Sequence, residues 1–197
     1  MGTLWVGVDP GARWIGICAR RGVDVLGWHV IDTHDLEPDA TRPGRPTLED
    51  IVNTIGEIVA GQPFRVAVED VDPPNAHHNG QVSIIQVEPL LRTAEVIGYV
   101  ERAYPDAVRV PPRGNGSRTL ASYPRCLVGN REYANAVRKG ALLADAPQNS
   151  SLRHARSAYD VAGAAATAVR IAKSSLQREL HRRTHAATPT ARRRRTF

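Results

Sequence analysis

The sequence predicts an α/β fold, a mixed central β-sheet with helices on both faces. Three observations carry this expectation. The chain opens with short alternating apolar runs separated by turn residues, the pattern of a β-meander. Beyond residue 47, helical periodicities alternate with short apolar runs, the pattern of βαβ units. At 197 residues and 42% hydrophobic content, the chain suits one domain with a full core.

Leu4 to Arg21 is the stretch around which the rest is arranged. Leu4, Val6 and Val8 alternate with Trp5 and Gly7, and Ile15, Ile17 and Ala19 follow once Pro10 and Gly11 have broken the pattern. Two strands joined by a tight turn satisfy this arrangement. Gly7, Gly11 and Gly16 leave room for something to approach the backbone. Val23 to Ile31 reads as a third strand, and Thr33 to Pro46 as a loop. Thr47 to Ala60 reads as a helix, with Thr47 as N-cap, Asp50 three residues on, and Ile51, Ile55, Ile58 and Val59 as its apolar stripe. Phe64 to Val68 is a short buried strand ending in Glu69, and Asp70 to Gly80 is a turn-rich loop. Val82 to Ala103 has helical periodicity with a candidate break at Pro89. Ala107 to Val110 is another strand, followed by a flexible basic loop, PPRGNGS. Residues 117–150 carry a weaker pattern, with helix expected over Asn130 to Ala144 and a loop over Ala146 to Ser151. Leu152 to Arg183 reads as a long alanine-rich helix, and the Thr, Pro, Ala and Arg content from Thr184 onward predicts disorder. The expected organisation is a folded domain over residues 1–183 and a basic tail over residues 184–197.

The net charge is +6, and of 26 basic residues only Lys139 and Lys173 are lysine. Guanidinium forks match phosphate oxygens, although a GC-rich genome would also produce the bias. Arg192, Arg193, Arg194 and Arg195 form an uninterrupted run near the end. A basic chain with a basic tail points to a nucleic-acid partner. No run of about 18 apolar residues occurs, so no membrane span is expected. The first strand begins almost at once, so no signal peptide is expected, and Cys18 and Cys126 form neither a disulfide framework nor a CxxC site. A cytoplasmic location with reduced thiols is the expectation.

Three acids fall at the ends of elements in this scheme. Asp9 ends the first strand, and an ionised carboxylate beside apolar strand residues is costly unless it is paired or binds a metal. Glu69 ends the strand after the first helix, so parallel pairing would place the two acids side by side. Asp160 lies in the first turns of the last helix with His154 and Ser157, at steps of three. That helix is small-sided (Ala158, Ala162, Gly163, Ala164, Ala165, Ala166) and can lie close to the sheet. Grouped carboxylates repel unless a cation sits among them, and oxygen-rich sites suit Mg²⁺ or Mn²⁺. Two such ions about 4 Å apart can activate a water and stabilise a leaving oxygen in phosphodiester cleavage. Each residue also has an ordinary reading. Asp9-Pro10 can open a turn, Glu69 can belong to an acidic loop with Asp70 and Asp72, Asp160 can be solvated, and His154 can cap or pack.

Three motifs resemble those of the RuvC-type Holliday-junction resolvases. GVDPGARWIG resembles their first motif, VAVEDV their second, and RHARSAYDVAGAA the last, at the start of the C-terminal helix. The first motif is shared in part with actin-like ATPases, whose duplicated domains need a longer chain. The order and spacing match from Leu4 to Ala172. The resemblance implies a ribonuclease H-like fold, with Asp9 and Glu69 as metal ligands for Mg²⁺, Mn²⁺ substituting. The last motif departs from the pattern: His154 holds the first position, but Ser157-Ala158 stands where aspartate-alanine is usual. Asp160, one turn on, is expected to supply the missing carboxylate, with His154 as ligand or water-orienting group. The resemblance further implies a homodimer that nicks four-way DNA in pairs and leaves 5′-phosphates, with the Asp72 to Gly80 loop facing the partner or the junction. Arg113 and Arg118 are candidate phosphate contacts, or ordinary surface arginines. Arg192 to Arg195 would add salt-sensitive affinity. The function expected is a metal-dependent, structure-selective DNA endonuclease. Another ribonuclease H-like nuclease acting on RNA or branched DNA is the alternative within enzymes. A junction-binding protein without cleavage is kept open by Ser157.

Overall fold

Leu4–Pro10 (β1) and Trp14–Arg21 (β2) form the expected antiparallel hairpin, with Asp9 opposite Gly16 and Pro10 opposite Ile15. Asp24–Asp32 (β3) pairs antiparallel with β2 and completes the meander. The computed structural model describes residues 2–32, 48–71, 87–112, 114–147 and 150–186, with the side chains of 180 and 183–186 excepted. Two further strands, Phe64–Glu69 (β4) and Val108–Val110 (β5), add in parallel on the other side of β1, giving the order β3-β2-β1-β4-β5. The sheet is mixed and five-stranded, and the α/β class expected from the sequence is what the structure has.

Alternation along the strands divides the side chains between two layers. Leu4, Val6, Val8, Ile15, Ile17, Ala19, Val66 and Val68 face one way. There they pack against Ile51, Ile55 and Val59 of α1 (Leu48–Val59) and Val96, Ile97 and Val100 of α2 (Val87–Ala103). Cys18 of β2 belongs to a second core on the opposite face, with Ala155, Ala158 and Tyr159 of α4 (Leu152–Ala186) and with Leu120, Tyr123, Leu127 and Val128. Helices therefore cover both faces.

The fit of α4 to the sheet depends on absent side chains. A Cβ on Gly7 would run into the Ala158 carbonyl and lie 2.8 Å from the Ala162 nitrogen, and one on Gly16 would strike the His154 carbonyl. The approach anticipated at these glycines is made by the backbone of α4 itself.

Several boundaries differ from expectation. α2 runs from Val87 through Pro89 without a break, because a proline in the first turn removes only an N–H that has no helical partner. The helix expected over 130–144 ends at Arg138 (α3, Asn130–Arg138). Gly140 adopts φ +63°, its N–H reaches the Val137 carbonyl at 3.1 Å, and the Ala141 N–H reaches Ala136 at 2.8 Å. This is a Schellman stop, which glycine adopts without strain. α4 extends to Ala186, beyond the expected end at Arg183, since no glycine or proline occurs between Arg183 and Pro189. Thr184–Ala186, assigned to the tail, are thus helical; Thr47, the Asp72 to Gly80 loop, Arg113 and Arg192 to Arg195 lie outside the described residues. The chain forms two compact units, one up to Ala165 and one from Ala166 on; the second comprises, among the described residues, the remaining turns of α4.

α3 is tied to α4 by a buried arginine. Arg156 is 0% exposed, and its Nη1 donates to both Glu132 oxygens at 3.1 and 3.0 Å. Its remaining bonds go to the carbonyls of Leu127 and Pro147, at 3.3 and 3.0 Å. Glu132 also accepts from the Gly129 N–H at 3.1 Å and so closes the first turn of α3.

Candidate metal centre

β1 and β4 are parallel neighbours in the register Val6 to Val66 and Val8 to Val68. One step further along each strand stands an acid, Asp9 and Glu69. Because Val8 and Val68 face α1 and α2, both acids face α4. Burial first, and the Asp9 charge second, push the Glu69 carboxyl up to about 7, while hydrogen bonds from Asn115 and Ser157 act in the opposite direction. The side-by-side placement expected of these two acids is thus present, and their charges are felt.

The first turns of α4 supply the other wall. His154 Nδ1 lies 2.8 Å from Asp9 Oδ2, with both side chains largely buried. An ionised carboxylate only accepts, so this contact requires the proton on Nδ1. Ser157 Oγ donates to Glu69 Oε2 at 2.8 Å, and Asn115 Nδ2 donates to Glu69 Oε1 at 2.9 Å. Ser157 therefore reaches the acid pair directly. Asp160 is engaged elsewhere: its Oδ2 accepts from the Gly116 N–H at 3.0 Å and the Tyr123 hydroxyl at 2.7 Å, and its Oδ1 pairs with Arg118. Burial, then Asp160, pushes the Tyr123 hydroxyl up to about 12, so it remains a donor. Arg118 is about half exposed at its side chain, next to the turn that carries Asn115.

Asn115 was not anticipated. The Gly114-Asn115-Gly116 turn signal is visible in the sequence, but its partner lies 46 residues away and leaves no local trace.

Among the described residues, no three of His, Cys, Asp and Glu are grouped as a metal cage. Mg²⁺ does not need one, since it is commonly held by one or two carboxylates and keeps several waters. Two adjacent carboxylates, one of them pushed up by burial and by the other's charge, have the donor chemistry for such an ion.

The raised Glu69 value predicts a stability change of definite sign. The folded state retains a proton that an ordinary carboxyl near 4.5 gives up earlier. The resulting stabilisation is complete below about pH 4.5 and is lost as pH rises through about 7, a difference on the order of 3 kcal/mol. In chelator, the wild-type Tm should fall across that window relative to Glu69→Gln, whose amide cannot ionise. Parallel pH profiles would exclude Glu69 as the source.

The chain is similar to solved RuvC structures. Thermus thermophilus RuvC in complex with Holliday junction substrate shares 23% identity over 86% of this chain and 96% of that one, with a TM-score of 0.48. A Thermus thermophilus RuvC structure shares 23% identity over 86% and 97%, with a TM-score of 0.46. No protein-family model matches the chain, and no curated protein matches it.

Proposed function

We propose that this chain is a metal-dependent, structure-selective DNA endonuclease of the ribonuclease H-like class. In this reading it cuts four-way junctions as a homodimer in the cytoplasm. The observation that carries the reading is the pair Asp9 and Glu69, set side by side by parallel strands, where burial and then the Asp9 charge push the Glu69 carboxyl up to about 7. The three sequence motifs and the basic charge of +6 support the same reading.

Asp9 and Glu69 would hold Mg²⁺ or Mn²⁺, and a bound pair of such ions supplies an activated water and stabilises the leaving oxygen. His154 keeps Asp9 oriented through its Nδ1 proton. Ser157 and Asn115 each fix one oxygen of Glu69. Arg118, half exposed and paired with Asp160, would contact a backbone phosphate, with Arg113 and the arginines from Arg192 to Arg195 as further contacts.

Ser157, a neutral group on Glu69, favours one other reading, junction binding without cleavage. One experiment separates them: incubation of a labelled four-way junction, a linear duplex and an RNA–DNA hybrid with Mg²⁺ and with chelator. Paired, metal-dependent nicks confined to the junction are expected. Tight binding without cleavage would establish the second reading, and cleavage of the hybrid alone would make the chain a nuclease of another specificity.

A further inference from the structure

The structure assigns Asp160 a positioning role: it anchors the turn that sets Asn115 on the Glu69 carboxylate. This inference rests on the metal-site reading of Glu69. Both oxygens of Asp160 are engaged, and its side chain is 9% exposed. The Gly116 N–H and the Tyr123 hydroxyl donate to one oxygen, and Arg118 pairs with the other. The Tyr123 hydroxyl in turn accepts from the Arg118 N–H at 3.1 Å, so the chain from Gly116 to Arg118 is held at both ends. A carboxylate offers about four acceptor positions, and three donors leave little for a cation.

The turn has little freedom. Gly116 stands at φ +75°, where a side chain is strained, and a Cβ there would lie 2.8 Å from the Arg153 carbonyl of α4. Asn115, the residue before it, bridges Glu69 Oε1 at 2.9 Å and the Pro111 carbonyl at 3.2 Å. Ser157 holds the other Glu69 oxygen from α4. The connection therefore runs from Asp160 through Gly116 and Asn115 to Glu69, and the carboxylate is aimed from two sides. Outer contacts of this kind orient a ligand without touching the metal.

The test is Mn²⁺ binding to the full-length, metal-free protein by titration calorimetry. Asn115→Ala should weaken binding by ~10–100-fold, the usual cost of losing an outer-shell partner. Asp160→Ala should produce a similar loss, and the double variant should be no worse than either single, since both remove one contact. Asp160→Asn, which still offers an acceptor to the Gly116 N–H, should retain most of the affinity. Loss of binding in Asp160→Asn alone, or losses that add in the double variant, would make Asp160 a ligand and overturn the assignment. If Asp160→Ala does not fold, Gly116→Ala perturbs the same turn and replaces it in the cycle. If the wild type binds no Mn²⁺, the metal reading fails separately. The positioning claim is then decided by NMR: the Asn115 side-chain amide must lose exchange protection in Asp160→Ala, and unchanged protection would refute it.

Discussion

Replacing Asp9 by asparagine should abolish cleavage of a four-way junction while leaving binding of the junction intact. Asparagine keeps the shape of the side chain and can still accept the His154 Nδ1 proton at the contact now 2.8 Å long. The strand, whose neighbours Leu4, Val6 and Val8 are buried, is untouched. What is lost is one of the two adjacent charges that would hold the cation. Losing several kcal/mol of transition-state stabilisation slows cleavage by ~10³-fold or more. Affinity for the junction, measured by gel shift in chelator, should stay within a few-fold, because binding rests mainly on phosphate contacts. Retained cleavage would remove Asp9 from the mechanism.

The largest effect on stability should come from Arg156→Met. The guanidinium is fully buried, so its removal leaves the Glu132 charge without its cation and takes one donor from the carbonyls of Leu127 and Pro147. Breaking a buried ion pair by deleting one partner costs ~3–5 kcal/mol. Denaturant unfolding should show this loss as a lower midpoint at an unchanged slope. Neutralising Glu132 in the same chain, as Arg156→Met with Glu132→Gln, should recover part of it, because the unpaired charge is the costly remnant. A single variant as stable as the wild type would mean that the pair contributes nothing to the seating of α3 on α4.

Much of this architecture was legible in the sequence because its signal was local. Alternation marks β1 and β2, and an acid directly after each of two apolar runs marks where Asp9 and Glu69 stand. The small residues of α4 announced a close approach. What was illegible depended on rotation and distance. Ser157 and Asp160 are three residues apart, about 300° around a helix and about 4.5 Å along it. Sequence reasoning assigned the site carboxylate to Asp160. In the structure Ser157 meets Glu69, and Asp160 meets the turn at Gly116. No local pattern reports that phase difference. Asn115 is similar, since its partner is set by how β4 and the turn after β5 come together. The end of α3 was legible in principle: Lys139-Gly140 is a stop signal, and reading the helix through it to Ala144 underweighted the left-handed conformation at Gly140.

The contacts of Gly7 and Gly16 with α4 tie the chemistry to the scaffold. The same helix segment that rests on these two positions carries His154 and Ser157, the groups that hold Asp9 and Glu69. The gap between sheet and helix is therefore also the aperture of the acid pair, and its width is set by two hydrogen atoms where other residues carry carbon. Substitution at either glycine would act on the acid pair and on the packing of the second core in one stroke.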